Sequence, residues 1–125
     1  MLIETLRGFE TGRGIPRNQT RHAYEAMLTK PAFGLSGEEA REFYCYVRNG
    51  IFHGTETRNG WVIRREPQQR IVEKAAEGYI VNRTMLHAAV RKAFEAWIER
   101  LREGDETARE NFRRRMDQVI EISGI

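Results

Sequence analysis

The apolar positions of this chain recur at helical spacing over most of its length and give way to short, turn-bounded runs only in the middle. From Leu86 through Ala89, Val90, Ala93, Phe94, Trp97, Ile98 and Leu101, steps of three and four residues predict a long amphipathic helix, capped by Asn82 or Thr84 and ended at Gly104. A last helix is predicted from about Asp105 to Ile122, with acidic Asp105 and Glu106 at its electropositive start and Phe112, Met116, Val119 and Ile120 as the face expected to be buried. The segment from about Arg17 to Leu28 also reads as helix, and Lys30-Pro31 stops it, because the residue before a proline is pushed out of the helical region. Leu2, Leu6 and Phe9 permit a short helix before it.

Ser36-Gly37-Glu38-Glu39 has the capping-box spacing, in which serine and glutamate satisfy each other's free backbone donors at a helix start. Ala40, Phe43, Val47 and Ile51 then build one apolar stripe, with Gly54 as a stop. Beyond it, Arg58-Asn59-Gly60 reads as a hairpin turn leading into Trp61-Val62-Ile63, since Asn-Gly supports the positive backbone angles of tight hairpins. Ile71-Val72 and Tyr79-Ile80-Val81 predict a second hairpin turning near Ala76 to Gly78. The expected architecture is mainly α, a single domain over residues 1–125, with a small antiparallel sheet inserted after the Ser36-capped helix.

Composition narrows this picture. A chain of 125 residues has no room for a second domain of ordinary size. Nothing approaches the run of roughly 18 apolar residues that a membrane span needs. Met1 to Phe9 contains Glu4 and Arg7 and lacks a signal-peptide core, so no membrane partner and a cytoplasmic location are expected. Cys45 is the only cysteine, which excludes intrachain disulfides and reads as a small buried residue. His22, His53 and His87 lack zinc-type spacing, so neither a metal nor another cofactor is expected. The net charge of +3 does not by itself demand a nucleic-acid partner. The 18 arginines against 3 lysines fit phosphate recognition, with genome-wide codon bias as the alternative. Arg113-Arg114-Arg115 reads as a solvated helix face.

The chemistry-bearing stretch is Arg48-Asn49-Gly50-Ile51-Phe52-His53, a phosphate-binding fork and a side chain that exchanges protons near neutral pH. Spacing alone is weak evidence, since about one Arg-x(4 to 6)-His match is expected by chance here. Arg17-Asn18-Gln19-Thr20-Arg21-His22 repeats the pattern at a polar helix start, whereas the second copy ends a capped amphipathic helix among Val47, Ile51 and Phe52. On an ideal α-helix residues four apart are offset by about 40° and residues five apart by about 140°. Asn49 and His53 then share a face, and Arg48 must reach around unless the helix departs from ideal geometry, which Gly50 and Gly54 favour. The alternative is that Asn49 and His53 simply cap the helix by binding its last carbonyls.

The segment Phe43-Tyr44-Cys45-Tyr46-Val47-Arg48-Asn49-Gly50-Ile51-Phe52-His53-Gly54 resembles the signature helix of the HEPN superfamily, small helical proteins common in prokaryotic defence and toxin systems. The likeness includes Asn after Arg, apolar residues before His and Gly after it. It covers the central helix specifically and the rest of the chain by architecture, as an HEPN-like helical bundle. It implies a homodimer whose two motifs face each other in one composite, metal-independent ribonuclease site, with an antitoxin as a further partner. By position, His53 and Arg48 match the motif histidine and arginine, and Asn49 the polar residue that follows the arginine. The hairpins after Gly54 depart from the plain helical core.

The implied reaction has His53 remove the proton of a ribose 2′-hydroxyl and Arg48 stabilise the charge that grows on phosphorus as the oxyanion attacks. Asn49 would orient His53 or bind a phosphate oxygen. Arg58, Arg64 and Arg65 are expected to hold the RNA backbone. Trp61, Tyr79 and Tyr44 either stack bases or pack in the core. The alternatives are a catalytically inactive HEPN-like dimer that binds RNA or a nucleotide as a regulatory or scaffolding module, and a dimeric interaction protein without a nucleic-acid partner.

Overall fold

The computed structural model describes residues 2–48, 60–76 and 78–123. They fall into two compact units, Met1–Ala23 with Val90–Ile125, and Tyr24–Ala89.

The first unit is helical. It holds α1 (Leu2–Thr11), the start of α2 (Thr20–Leu28) behind a 3-10 turn at Arg17–Gln19, most of α4 (Arg83–Arg102) and all of α5 (Glu106–Ser123). Ile3 and Leu6 of α1 are buried, and Phe9 carries the helix onto Trp97 and Phe112 at ring separations of 5.3 and 5.7 Å. Gly104 takes a φ of 86° to end α4, and Asp105 caps α5 by accepting from the Ala108 amide at 2.9 Å.

The buried face of α5 is not the one its apolar residues predict. Phe112 and Met116 are half-buried, but Val119 and Ile120 remain 38% and 42% exposed. Polar side chains set the rotation of the helix. Asn111 donates to the Glu10 carbonyl at 2.8 Å, Gln118 accepts from the Gly14 amide at 3.0 Å, and Arg115 lies over Gly8 and Gly14. The inward stripe therefore runs through 108, 111, 112, 115 and 118. Of the arginine run, Arg113 and Arg114 form the solvated face beside Glu110, while Arg115 turns inward.

The second unit holds the rest of α2, then α3 (Gly37–Glu42), a π-helix (Phe43–Arg48) and three strands. The capping box forms as expected, with the Glu39 amide donating to Ser36 Oγ at 3.1 Å and the Ser36 amide to Glu39 Oε1 at 2.8 Å. Ala40, Phe43 and Val47 bury the stripe. The α-geometry lasts only six residues, however, before the chain widens into the π-helix. Aromatic and β-branched residues, weak α-formers, fill that stretch.

The sheet comprises β1 (Val62–Arg64), β2 (Val72–Ala75) and β3 (Gly78–Asn82) in the order β1-β3-β2. The predicted second hairpin is present, with Ala75 opposite Gly78. The expectation of a purely antiparallel sheet is overturned: β1 runs parallel to β3, pairing Val62 with Ile80 and Arg64 with Asn82. A short turn fixes the direction of a hairpin, but strand alternation leaves open which partner a strand meets and in which direction. Here Gly60, at a φ of 76°, approaches Gly78 so closely that a Cβ on Gly78 would overlap the Gly60 carbonyl. The strand that a hairpin turn at Arg58-Asn59-Gly60 requires before it falls outside the described residues. Among the described residues no helix is long and apolar enough to cross a membrane.

Candidate functional site

Of the motif, Arg48 is described, whereas Asn49 and His53 lie outside the described residues, as does Arg58. Arg48 is the last residue of the π-helix and is half-buried. Its guanidinium carbon stands 5.5 Å from the centroid of the Tyr44 ring, a cation–π distance. Tyr44 leans on Tyr24 at 5.4 Å, and Tyr24, fully buried, stacks on Phe43 at 6.3 Å. Arg48 thus rests on a column of rings rooted in the core. A π-helix closes its hydrogen bonds over five residues instead of four. The wider turn lies before Arg48, and the path from Arg48 to His53 falls outside the described residues. Such turns occur frequently at functional sites.

A second cationic locus forms where β1 and β3 end. Because the two strands are parallel, Arg64 lies opposite Asn82, and Arg65 leaves the sheet on the same side as Arg83, the first residue of α4. Asn82 locks this corner. Only 1% exposed, it caps α4 by accepting from the Met85 amide at 2.8 Å, while its Nδ2 donates to the Glu66 carbonyl. Ile63, Arg64, Arg65, Glu66 and Arg83 line an open cleft of about 270 Å³. Arg64, Arg65 and Arg83 are all exposed. Glu66 is held below the usual carboxylate range by its own and the Arg65 backbone amides and by the two neighbouring arginines, so it is ionised at neutral pH. Among the described residues the cleft therefore carries three positive charges and one negative.

Arg64 and Arg65 are among the arginines that the sequence singles out, and Arg83 is not. Arg83 follows the cap residue directly, and only the parallel pairing, which no local pattern signals, brings it beside the other two.

A larger opening of about 620 Å³ is lined by Glu106, Arg109, Glu110, Phe112 and Arg113. Its two acids and two bases cancel. Arg113 is already bound to Glu110 at 2.7 Å, and Arg109 donates to the Leu101 carbonyl at 2.9 Å. It offers no net field for an anion.

The aromatic candidates pack within the protein. Trp61 is 3% exposed and sits between Phe43 and Tyr79, at 6.1 and 4.8 Å. Tyr79 faces acidic neighbours: burial first, then the charges of Glu42, Glu38 and Glu39, push its phenol upward. A rim of carboxylates repels a nucleic-acid backbone, so stacking of bases on Trp61 or Tyr79 is disfavoured. Cys45 is half-buried, and His22 and His87 are exposed on α2 and α4.

No protein-family model, no curated protein and no solved structure shows a significant match to this chain.

Proposed function

We propose that the chain is a metal-independent endoribonuclease of HEPN-like type, acting as a homodimer and serving as the toxin or effector of a defence system. His53 takes the 2′-hydroxyl proton. The 2′-oxygen then forms a bond to phosphorus as the bond to the 5′-oxygen breaks, and the departing 5′-oxygen takes up a proton. The products are a 2′,3′-cyclic phosphate and a 5′-hydroxyl end. Arg48 balances the charge that builds on the phosphoryl oxygens. Asn49 orients His53 or holds a phosphate oxygen.

The observation that carries the reading is Arg48, half-buried at the end of a π-helix and braced on Tyr44. A guanidinium restricted in this way loses less freedom when a phosphoryl group arrives at its fork. A second reading, an RNA-binding module without turnover, is favoured by the cleft of Arg64, Arg65 and Arg83, which suits backbone binding and has no histidine among its described lining residues.

Cleavage of a mixed-sequence single-stranded RNA in excess chelator separates the two. Loss of cleavage in His53→Ala but not in His22→Ala, with cyclic-phosphate ends, is expected for the nuclease. Wild-type protein that binds the RNA and leaves it intact would establish the module.

A further inference from the structure

We infer that the cleft at the parallel ends of β1 and β3 is a phosphate subsite for the backbone of single-stranded RNA, and that Arg83 is one of its ligand-binding residues. The inference takes the identity of the phosphate from the RNA reading above; the site itself rests on geometry.

Three arginines line one opening, and none of them is in an ion pair among the described residues. Other arginines of the chain are spent within the protein, Arg70 on Glu39 and Arg100 on Asp105. The one acid among the described residues of the cleft is bonded to the neighbouring backbone, since Glu66 Oε2 accepts from the Arg65 amide at 3.2 Å. Its carbonyl accepts from Asn82 Nδ2, which fixes the Glu66 backbone beside the cap of α4, while its carboxylate stays in the field of Arg64 and Arg65. At about 270 Å³ the opening falls below the size of sites that enclose a whole small molecule. Its size and net positive charge suit one phosphate of a longer strand. Guanidinium forks match phosphate oxygens in pairs, so arginine at all three positions suits such a ligand. Ile63, 39% exposed at the cleft wall, offers an apolar contact for a sugar or base beside that phosphate.

The test uses a fluorescein-labelled, 2′-O-methylated mixed-sequence 12-mer, which cannot be cleaved, titrated by anisotropy at several salt concentrations. Arg83→Gln is expected to weaken binding about fivefold and to lower the salt slope by about 0.7, the change for one lost phosphate contact on a single strand. Arg64→Gln/Arg65→Gln should lose more, and it carries the same test should Arg83→Gln not fold. Arg113→Gln/Arg114→Gln removes as much charge from the α5 surface and is expected to bind like wild type. Equal binding by Arg83→Gln and wild type, or an equal loss in the α5 variant, would overturn the subsite while leaving the RNA reading intact. A wild-type protein that fails to bind the 12-mer at any salt concentration would overturn both.

Discussion

Arg48 stands over the ring of Tyr44, its guanidinium carbon 5.5 Å from the ring centroid. Tyr44 lies one turn earlier on the same π-helix and is in turn supported by Tyr24. The relationship joins the packing of the second unit to its proposed chemistry, because the same rings that fill the core limit the directions Arg48 can take. The contact is worth about 0.5–1 kcal/mol, enough to bias a rotamer but small beside the charge stabilisation required of a catalytic arginine.

Replacing Tyr44 by leucine should therefore reduce RNA cleavage severalfold through disorder of Arg48, with Tyr44→Phe close to wild type because the ring face is kept. Arg48→Lys retains the charge but not the fork, and is expected to fall well below either. Single-turnover cleavage rates would check the order, with Tyr44→Phe fastest, Tyr44→Leu next and Arg48→Lys slowest. Equal rates for Tyr44→Leu and wild type would show that the ring does not position the arginine.

Acid stability tests the capping box. Burial alone would raise the Glu39 carboxyl, but the Arg70 hydrogen bond, the Ser36 amide and the charge of Arg70 outweigh it and hold the group below its ordinary 4.5. A carboxyl depressed in the folded state stabilises the fold above its unfolded pKa. That contribution is lost as pH falls from about 4.5 through the lower folded value. Arg70→Gln removes the bond made at 2.9 Å and should cost about 1 kcal/mol at neutral pH, less than a buried charged hydrogen bond because solvent screens the half-exposed Arg70. Its acid-unfolding midpoint should also move to higher pH. Circular dichroism melts between pH 3 and 7 would show a smaller acid loss in Arg70→Gln than in wild type, because less stabilisation remains to be lost.

Much of this was readable in the chain because the signals are local. Ser36 and Glu39 lie one helical turn apart, Asn82 and Asp105 each cap the residue three positions on, and Gly104 ends α4 where the apolar period stops. The features that escaped depend on distant partners. The direction of β1 is set by β3, some fifteen residues later, across an intervening strand. The rotation of α5 follows from Asn111 reaching Glu10 near the end of α1 and Gln118 reaching Gly14 just beyond it, against the apparent preference of Val119 and Ile120. The π-helix has no signature of its own, since Phe43 and Val47 keep a spacing that an α-helix also satisfies. Arg83 was obscured for the same reason as β1: its neighbours Arg64 and Arg65 reach it only through the parallel ladder.

Two glycine substitutions of opposite sign follow from the same packing. Gly78→Ala drives a methyl into the Gly60 backbone and should destabilise by about 1–3 kcal/mol, with loss of the β1–β3 pairing. Gly37→Ala meets nothing within 4 Å in the first turn of α3 and should stabilise by about 0.5–1 kcal/mol. Urea unfolding of both variants beside wild type would reveal the contrast. Tolerance of Gly78→Ala would contradict the close approach of the two glycines.

Asn82 provides the sharpest separation of stability from binding, because its two side-chain atoms do different work. Oδ1 caps α4 at the Met85 amide, and Nδ2 holds the Glu66 carbonyl beside the arginine cleft. Asn82→Ala loses both and leaves the Glu66 carbonyl without that donor, so a destabilisation of about 2 kcal/mol is expected, cap and buried bond together. Asn82→Asp keeps an acceptor for the cap and adds a negative charge where the helix dipole favours one, but it sets a carboxylate against a carbonyl oxygen. It should recover the cap, while Glu66 moves away and carries Arg65 with it. Thermal melts and RNA anisotropy, run together on the two variants, would then diverge: aspartate closer to wild type in stability, yet no better than alanine in RNA affinity. Recovery of affinity in the aspartate variant would mean that the cap alone shapes the cleft and that the Glu66 tie does not contribute.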